Sequence, residues 1–158
     1  MRMYLRFAAM IGTSTLLMYG LMYLNTLSVE HVYFNETRAY MALIMGATMT
    51  IVMLAFMLHM LGNAVVNALI ILAAAALFVL AVWLVRSQAT VDDVSWMRAM
   101  IPHHSIAILT SERARLEDPR VRQLAERIVE SQRREIDEMK SLLRQLRAQE
   151  ATTARRTP

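Results

Sequence analysis

Cysteine is absent from the chain. That excludes disulfides, thiolate metal sites and cysteine nucleophiles, and it is compatible with either redox compartment. Charge is scarce too, but only regionally. No Asp, Glu, Lys or Arg occurs among the 47 residues 39–85, nor among the 23 residues 7–29. Residues 86–158, by contrast, hold 14 of the 17 basic and 11 of the 13 acidic side chains. A chain that is water-soluble throughout does not divide its charge this way, so a membrane part followed by a water-exposed part is expected. Aromatic residues also run out, since Trp96 is the only one after Trp83. The net charge of +4 therefore lacks the aromatic-studded basic stripe of a nucleic-acid surface, and acids and bases are interspersed as on a solvated helix. No nucleic-acid partner is expected.

What is present begins with three apolar runs. The first, about 7–27, follows the basic start Met-Arg-Met-Tyr-Leu-Arg. It outlasts the 7–15-residue core of a secretory signal and lacks a small-residue cleavage site, so an uncleaved span is preferred to a cleaved signal. The 47-residue run is too long for one crossing and suits two of about 20 residues each. Gly62-Asn63 supplies a turn near its middle, giving spans 39–61 and 64–85 and a three-helix membrane domain over 1–86. Arg2 and Arg6 favour a cytoplasmic N-terminus, whereas the 28–38 loop carries two acids and one base. Three crossings then leave the C-terminal part outside, in the periplasm of a bacterium whose inner membrane holds the rest. Asn35-Glu36-Thr37 fits a glycosylation triplet, a pattern common by chance.

The second span carries Met41, Met45, Met49, Met53 and Met57 at every fourth position, with His59 and Met60 close behind. At about 100° per residue they form a slowly winding ribbon along one side of the helix. The first span echoes it in Met10, Met18 and Met22, with Ser14 in the gap. Flexible methionines filling irregular helix contacts explain the ribbon, helped by the small residues Ala42, Gly46 and Thr50. A thioether path for a soft ion such as Cu(I) or Ag(I) is the alternative. His59, next to the Gly-Asn turn, reads as an interfacial histidine.

Past Arg86 the pattern becomes that of a soluble helical hairpin, 87–148, with a polar tail, 149–158, expected to fray. Asp92 or Asp93 can cap a helix reaching about Leu116, and Asp118-Pro119 can start a second reaching about Arg147. The first helix holds Met97, Met100, His103 and His104 within eight residues, interrupted by Pro102, which removes a backbone donor and is expected to kink it. Met97, Met100, His104, Ala107 and Ile108 share an inward stripe, with His103 on its flank. On the second helix the apolar stripe is read as Val121, Leu124, Ala125, Ile128, Gln132, Glu135, Met139, Leu142 and Leu146. A buried carboxylate in such a stripe needs a partner. Counting outward from a turn at residue 118 sets position 103 opposite 133 and Met97 opposite Met139, so the histidines lie level with Gln132 and Glu135.

That convergence admits two readings, a polar core cluster or a metal site. The candidate ligands are Met97, Met100, His103, His104, Glu135 and Met139, with Gln132 as an orienting neighbour. Imidazole and thioether without thiolate favour copper, more as Cu(I) than Cu(II), and zinc seldom takes thioethers. Ser105 and Ser111 lack an activating constellation, so an enzyme is not expected. A ferritin-like oxidase would need more carboxylates than this hairpin supplies.

At Met97-Arg-Ala-Met-Ile-Pro-His-His-Ser-Ile-Ala-Ile108, with Leu124-Ala-x-x-Ile128 and Gln132-x-x-Glu-Ile-x-x-Met139 downstream, the sequence resembles the "domain of unknown function 305" family over about residues 91–146. The resemblance implies a ferritin-like helical fold, usually exported, with some members implicated in periplasmic copper binding and tolerance. The N-terminal part, with Tyr33-Phe-Asn-Glu-Thr-Arg-Ala-Tyr-Met41, resembles a membrane-anchored subgroup. Ser105 stands where that family commonly has glutamine, and Leu109-Thr110 where it often has Met-Ala.

The expected fold is all-α, with three membrane helices and a ferritin-like hairpin. One hairpin cannot cover both of its apolar faces. A homodimer forming a four-helix bundle, or docking onto the 28–38 loop, would solve this. The expected function is membrane-anchored copper binding for tolerance or handling; the alternative is a membrane scaffold without metal.

Overall fold

The computed structural model describes residues 2–156, whose regular structure is helical with no strand among them. Five helices follow in order: α1 Arg2–Leu21, α2 Glu36–Met57, α3 Ala64–Ser87, α4 Asp93–Arg113 and α5 Pro119–Arg156, with one 3-10 turn at Val29–His31. They form two compact units. One comprises α1, α2 and α3; the other comprises α4, α5 and the arm 25–35 between α1 and α2.

In the first unit α1 runs antiparallel to α2 along its length. At one end the Tyr4 hydroxyl donates to Asn67 Oδ1 at 2.8 Å, and Asn67 Nδ2 donates to the Leu61 carbonyl at 2.6 Å. At the other end Arg38 donates to the Met22 carbonyl at 2.9 Å and lies 4.2 Å above the Tyr23 ring. Asn63 caps α3 by accepting from the Val66 N–H at 3.1 Å, so the Gly62-Asn63 turn falls where the sequence put it. Gln88, in the left-handed region with φ 53°, ends that helix.

Along α2 and α3 the buried side chains are mostly small and the large ones mostly face out. Ala42, Gly46, Ala47, Ala74 and Ala81 are buried, while Leu16, Leu17, Phe56, Leu69, Leu72, Val79 and Trp83 face out. A Cβ added at Gly46 would lie 2.5 Å from Thr15 Oγ1, so glycine there lets α1 approach α2. The methionine ribbon flanks this small-residue face instead of occupying it. Met53 and Met57 pack on the buried Phe7, Leu54 and Leu61, Met45 and Met49 are half-buried, and Met41 is exposed.

Two helices, α2 and α3, are long and apolar enough to cross a membrane, not three. The helix of the first run, α1, falls short because Arg2, Tyr4 and Arg6 lie in its opening turns and Thr13-Ser14-Thr15 in its middle. Its helix also stops at Leu21, short of the expected Leu27.

The second unit contains the expected hairpin. Asp92 caps α4, accepting from the Ser95 N–H at 2.7 Å, and Asp118 accepts from the Arg120 N–H at 2.8 Å as α5 begins at Pro119. The α4 helix continues through Pro102, which is buried within it. The α5 helix outruns its expected end at Arg147 and reaches Arg156. Residues 147–156 contain no glycine or proline, and the Thr152 hydroxyl folds back on the Ala148 carbonyl at 2.8 Å; nothing breaks the helix. Of the expected tail, Thr157 and Pro158 lie outside the described residues.

The core of this unit is Met97, Ile101, Ile108, Ile136, Met139 and Leu143. Leu27 and Tyr33 of the arm pack against it. Docking of the loop after α1 therefore covers one side of the hairpin. The inward line of α5 is rotated from the sequence reading. Val129, Ile136, Met139 and Leu143 face the core, whereas Val121, Leu124, Ile128 and Leu142 are exposed.

Candidate metal centre

The α4 and α5 helices bring His104 and Glu135 together, as the count from the turn anticipated. His104 Nδ1 lies 3.1 Å from Glu135 Oε2, with the histidine side chain 12% exposed and the carboxylate 44%. The approach is close but misaligned, and Nδ1 makes no directed hydrogen bond although it is shielded from solvent. The contact is therefore electrostatic and leaves the nitrogen's directional bonding unmet. The other carboxylate oxygen is held by Ser131, whose hydroxyl donates to Oε1 at 2.6 Å.

Burial holds the His104 imidazole below its ordinary pKa; Glu135 opposes that shift and His103 adds to it. A neutral imidazole is the ligating form, because a metal need not displace a proton from it. His103 sits on the exposed flank, its ring centroid 6.0 Å from that of His104. Met100 and Gln132 are half-buried at the edge of the hairpin. Met97 and Met139 share a cluster, as expected, but it is the aliphatic core, where Ile101, Ile136 and Leu143 surround them. The two thioethers thus read first as packing groups.

Among the described residues no three of His, Asp and Glu form a group that could hold a metal ion. His104 and Glu135 fit a metal as two donors of a larger set, with His103 and Met100 beside them. Nor do these residues line the cavity of about 510 Å³ between the helices, which opens nearer the turn among Ser111, Glu112, Ala125 and Arg133.

The neighbour that sequence reasoning missed is His31. Ser105 is wholly buried, accepts from the Leu27 N–H at 2.8 Å and meets His31 Nδ1 at 2.9 Å. The Ser105 hydroxyl can donate to Nδ1 or accept a proton from it, according to which His31 nitrogen is protonated. Ser105 thereby ties the arm to the turn of α4 that carries the histidine pair. The available signal was Leu27 and Tyr33, apolar residues bracketing the His31 segment of the connector. Asn35 is 1% exposed, so the Asn35-Glu36-Thr37 triplet does not present its amide for glycosylation.

Comparison with known proteins places this hairpin in a family. A model for "Domain of unknown function (DUF305)" matches residues 93–157, which contain α4 and α5. The chain is 37% identical over 106 residues to "Uncharacterized protein L153" of Acanthamoeba polyphaga mimivirus, a match covering 66% of this chain and 68% of that protein. The matched stretch is longer than 93–157, so part of the likeness lies ahead of Asp93. No solved structure matches the chain. Met97 to Ile108 and Gln132 to Met139, the stretches that carry the resemblance, form the facing surfaces of this hairpin, and the chain belongs to the DUF305 family.

Proposed function

We propose that the chain is a membrane-anchored metal-binding protein whose α4–α5 hairpin handles copper, favouring Cu(I), with Ag(I) as a mimic. The observation that carries this reading is the His104–Glu135 pair, 3.1 Å apart, with a shielded imidazole nitrogen lacking a directed hydrogen bond. His103 and Met100 would supply further donors from the same edge. Imidazole and thioether without thiolate suit copper better than zinc or magnesium. Binding, not catalysis, is the activity proposed, and no residue is assigned a catalytic role.

Anchoring rests on α2 and α3, which bury mostly small residues and expose most of their large apolar ones, the reverse of a helix packed in a water-soluble core. α1 lies along α2 from the Asn63 end to the Arg38 end, so a bilayer that holds α2 would also hold α1. The arm 25–35 packs against α4 and α5, and α2 and α3 separate them in the chain. Two crossings return the chain to the same side, so both belong to one aqueous compartment. With Arg2 and Arg6 inside, that compartment is the outer one, the periplasm in a bacterium.

Titration of the full-length protein in detergent with Cu(I), under a competing chelator, tests the reading. The double substitution His103→Ala with His104→Ala should weaken binding at least tenfold, about 1.4 kcal/mol by the arithmetic of affinities. Glu135→Gln should weaken it less. Unchanged affinity in the double variant, with its helical content intact, would leave the scaffold reading in its place.

A further inference from the structure

We infer that the second unit carries a separate anion site, built for a phosphate group, on the side of the hairpin that the arm covers. A cavity of about 320 Å³ there is lined by Glu30, Tyr33, Lys140, Leu143, Arg144 and Arg147. Three of those six side chains are cationic and one is anionic. Lys140, Arg144 and Arg147 recur at spacings of four and three, which puts them on one face of α5.

Such a cluster is costly unless something answers it, because like charges repel across a turn of helix. Elsewhere on the hairpin, arginines are answered by acids: Arg133 meets Glu112 at 2.6 Å, Arg120 meets Asp118 at 2.8 Å, and Arg134 meets Glu130 at 3.5 Å. Among the described residues, Lys140, Arg144 and Arg147 make no ion pair. The field of Lys140 reaches His31 and contributes, after burial, to holding that imidazole below its ordinary pKa. Glu30 and Asp137 act on the same imidazole in the opposite sense.

The chemistry selects phosphate over a carboxylate. Two guanidinium forks can grip several oxygens of one tetrahedral anion, and an ammonium adds a point charge beside them. The Leu143 side chain and the Tyr33 ring give the cavity an apolar wall, which accommodates the organic part of a phosphate ester. Tyr33 also precedes the first residue of α2 by only three positions. The shared ligand chemistry is a phosphate ester, available either as a phospholipid headgroup or as a free phosphate compound.

The test uses the full-length protein in a zwitterionic detergent with three probes: inorganic phosphate, glycerol 3-phosphate, and a short-chain phosphatidylglycerol. Binding is followed by calorimetry at fixed ionic strength, since exposed charges are screened by salt. The triple variant Lys140→Gln, Arg144→Gln and Arg147→Gln should lose at least tenfold in affinity for the bound probe. A control with the same charge change, Arg122→Gln, Arg127→Gln and Arg134→Gln, should stay within twofold of the unmodified protein. Binding of the lipid alone assigns a headgroup site; binding of the small phosphates with comparable affinity assigns a free-phosphate site. No saturable binding of any probe overturns the inference, as does an equal loss in both triple variants. Cu(I) affinity in the first triple variant should be unchanged, because none of its residues touches His104 or Glu135.

Discussion

His31 and Ser105 show how much one buried hydroxyl can fix. Ser105 accepts from the arm's backbone and meets an imidazole, so the arm is attached to α4 by polar bonds as well as by Leu27 and Tyr33. Burial depresses the His31 pKa, Lys140 adds to that, and Glu30 and Asp137 oppose it. The group therefore titrates lower when folded than at its unfolded value of 6.5. Below 6.5 the unfolded chain binds more protons, so stability falls as pH drops until the folded value is passed, and it is complete above 6.5. Melting curves of the full-length protein from pH 7.5 to 5 should show this acid loss. In His31→Gln, which keeps a polar group near Ser105 without a titrating one, the loss should be smaller. His104 is depressed in the same direction, so a residual slope is expected in the variant. Identical slopes in the two proteins would rule His31 out as a contributor.

At the scale of the helix, legibility depended on whether a signal was local. Caps and turns are local: Asp92 and Asp118 cap where the sequence put them, and the expected turn residue Asn63 caps α3 as well. The facing of His104 and Glu135 needed only a turn position and a count. The facing of α5 needed more, because apolar residues spread over a stripe wider than one neighbour covers. Sequence periodicity centred it on Leu124, Ile128 and Leu142, whereas α4 and the arm together select Val129, Ile136 and Leu143. The role of Ser105 was illegible for a similar reason: its partners lie 78 and 74 residues away. The packing of α1 was legible in part, through Gly46. Alanine there would gain about 1 kcal/mol of helix propensity. It would also force a methyl group against Thr15 Oγ1, which is held by donating to the Ile11 carbonyl at 2.8 Å. Overpacking of this kind costs about 1–3 kcal/mol, so the clash outweighs the gain. Gly46→Ala should lower the melting temperature in detergent, and adding Thr15→Ala should recover most of the loss. A Gly46→Ala protein as stable as the original would mean that the helices simply part to admit the methyl group.

For the whole molecule, the open side of the hairpin is what one chain leaves unfinished. The arm fills one flank. On the other, Trp96 is 51% exposed and Leu124, Ile128 and Leu142 are exposed with it. Ile128, Glu135 and Leu142 recur at spacings of seven, which is the seam of a helix that packs lengthwise on another. Glu135, which meets His104, lies in this seam, and a single chain falls short of a three-group site among its described residues. A second copy related by a twofold axis would answer both deficits. The same patch would meet itself, covering the apolar residues and bringing a second His103, His104 and Glu135 to the first set. The result would be a four-helix arrangement of the kind expected from the sequence. Native mass spectrometry of the detergent-solubilised protein should then show a dimer. Ile128→Lys with Leu142→Lys should yield a monomer of unchanged helical content, because both positions are exposed in the single chain. Since neither residue is a ligand, any loss of metal affinity in that monomer reports on the missing copy, and a loss of tenfold or more is expected. A monomer that binds Cu(I) as tightly as the original protein would show that one hairpin is sufficient, and the exposed seam would then need a different occupant.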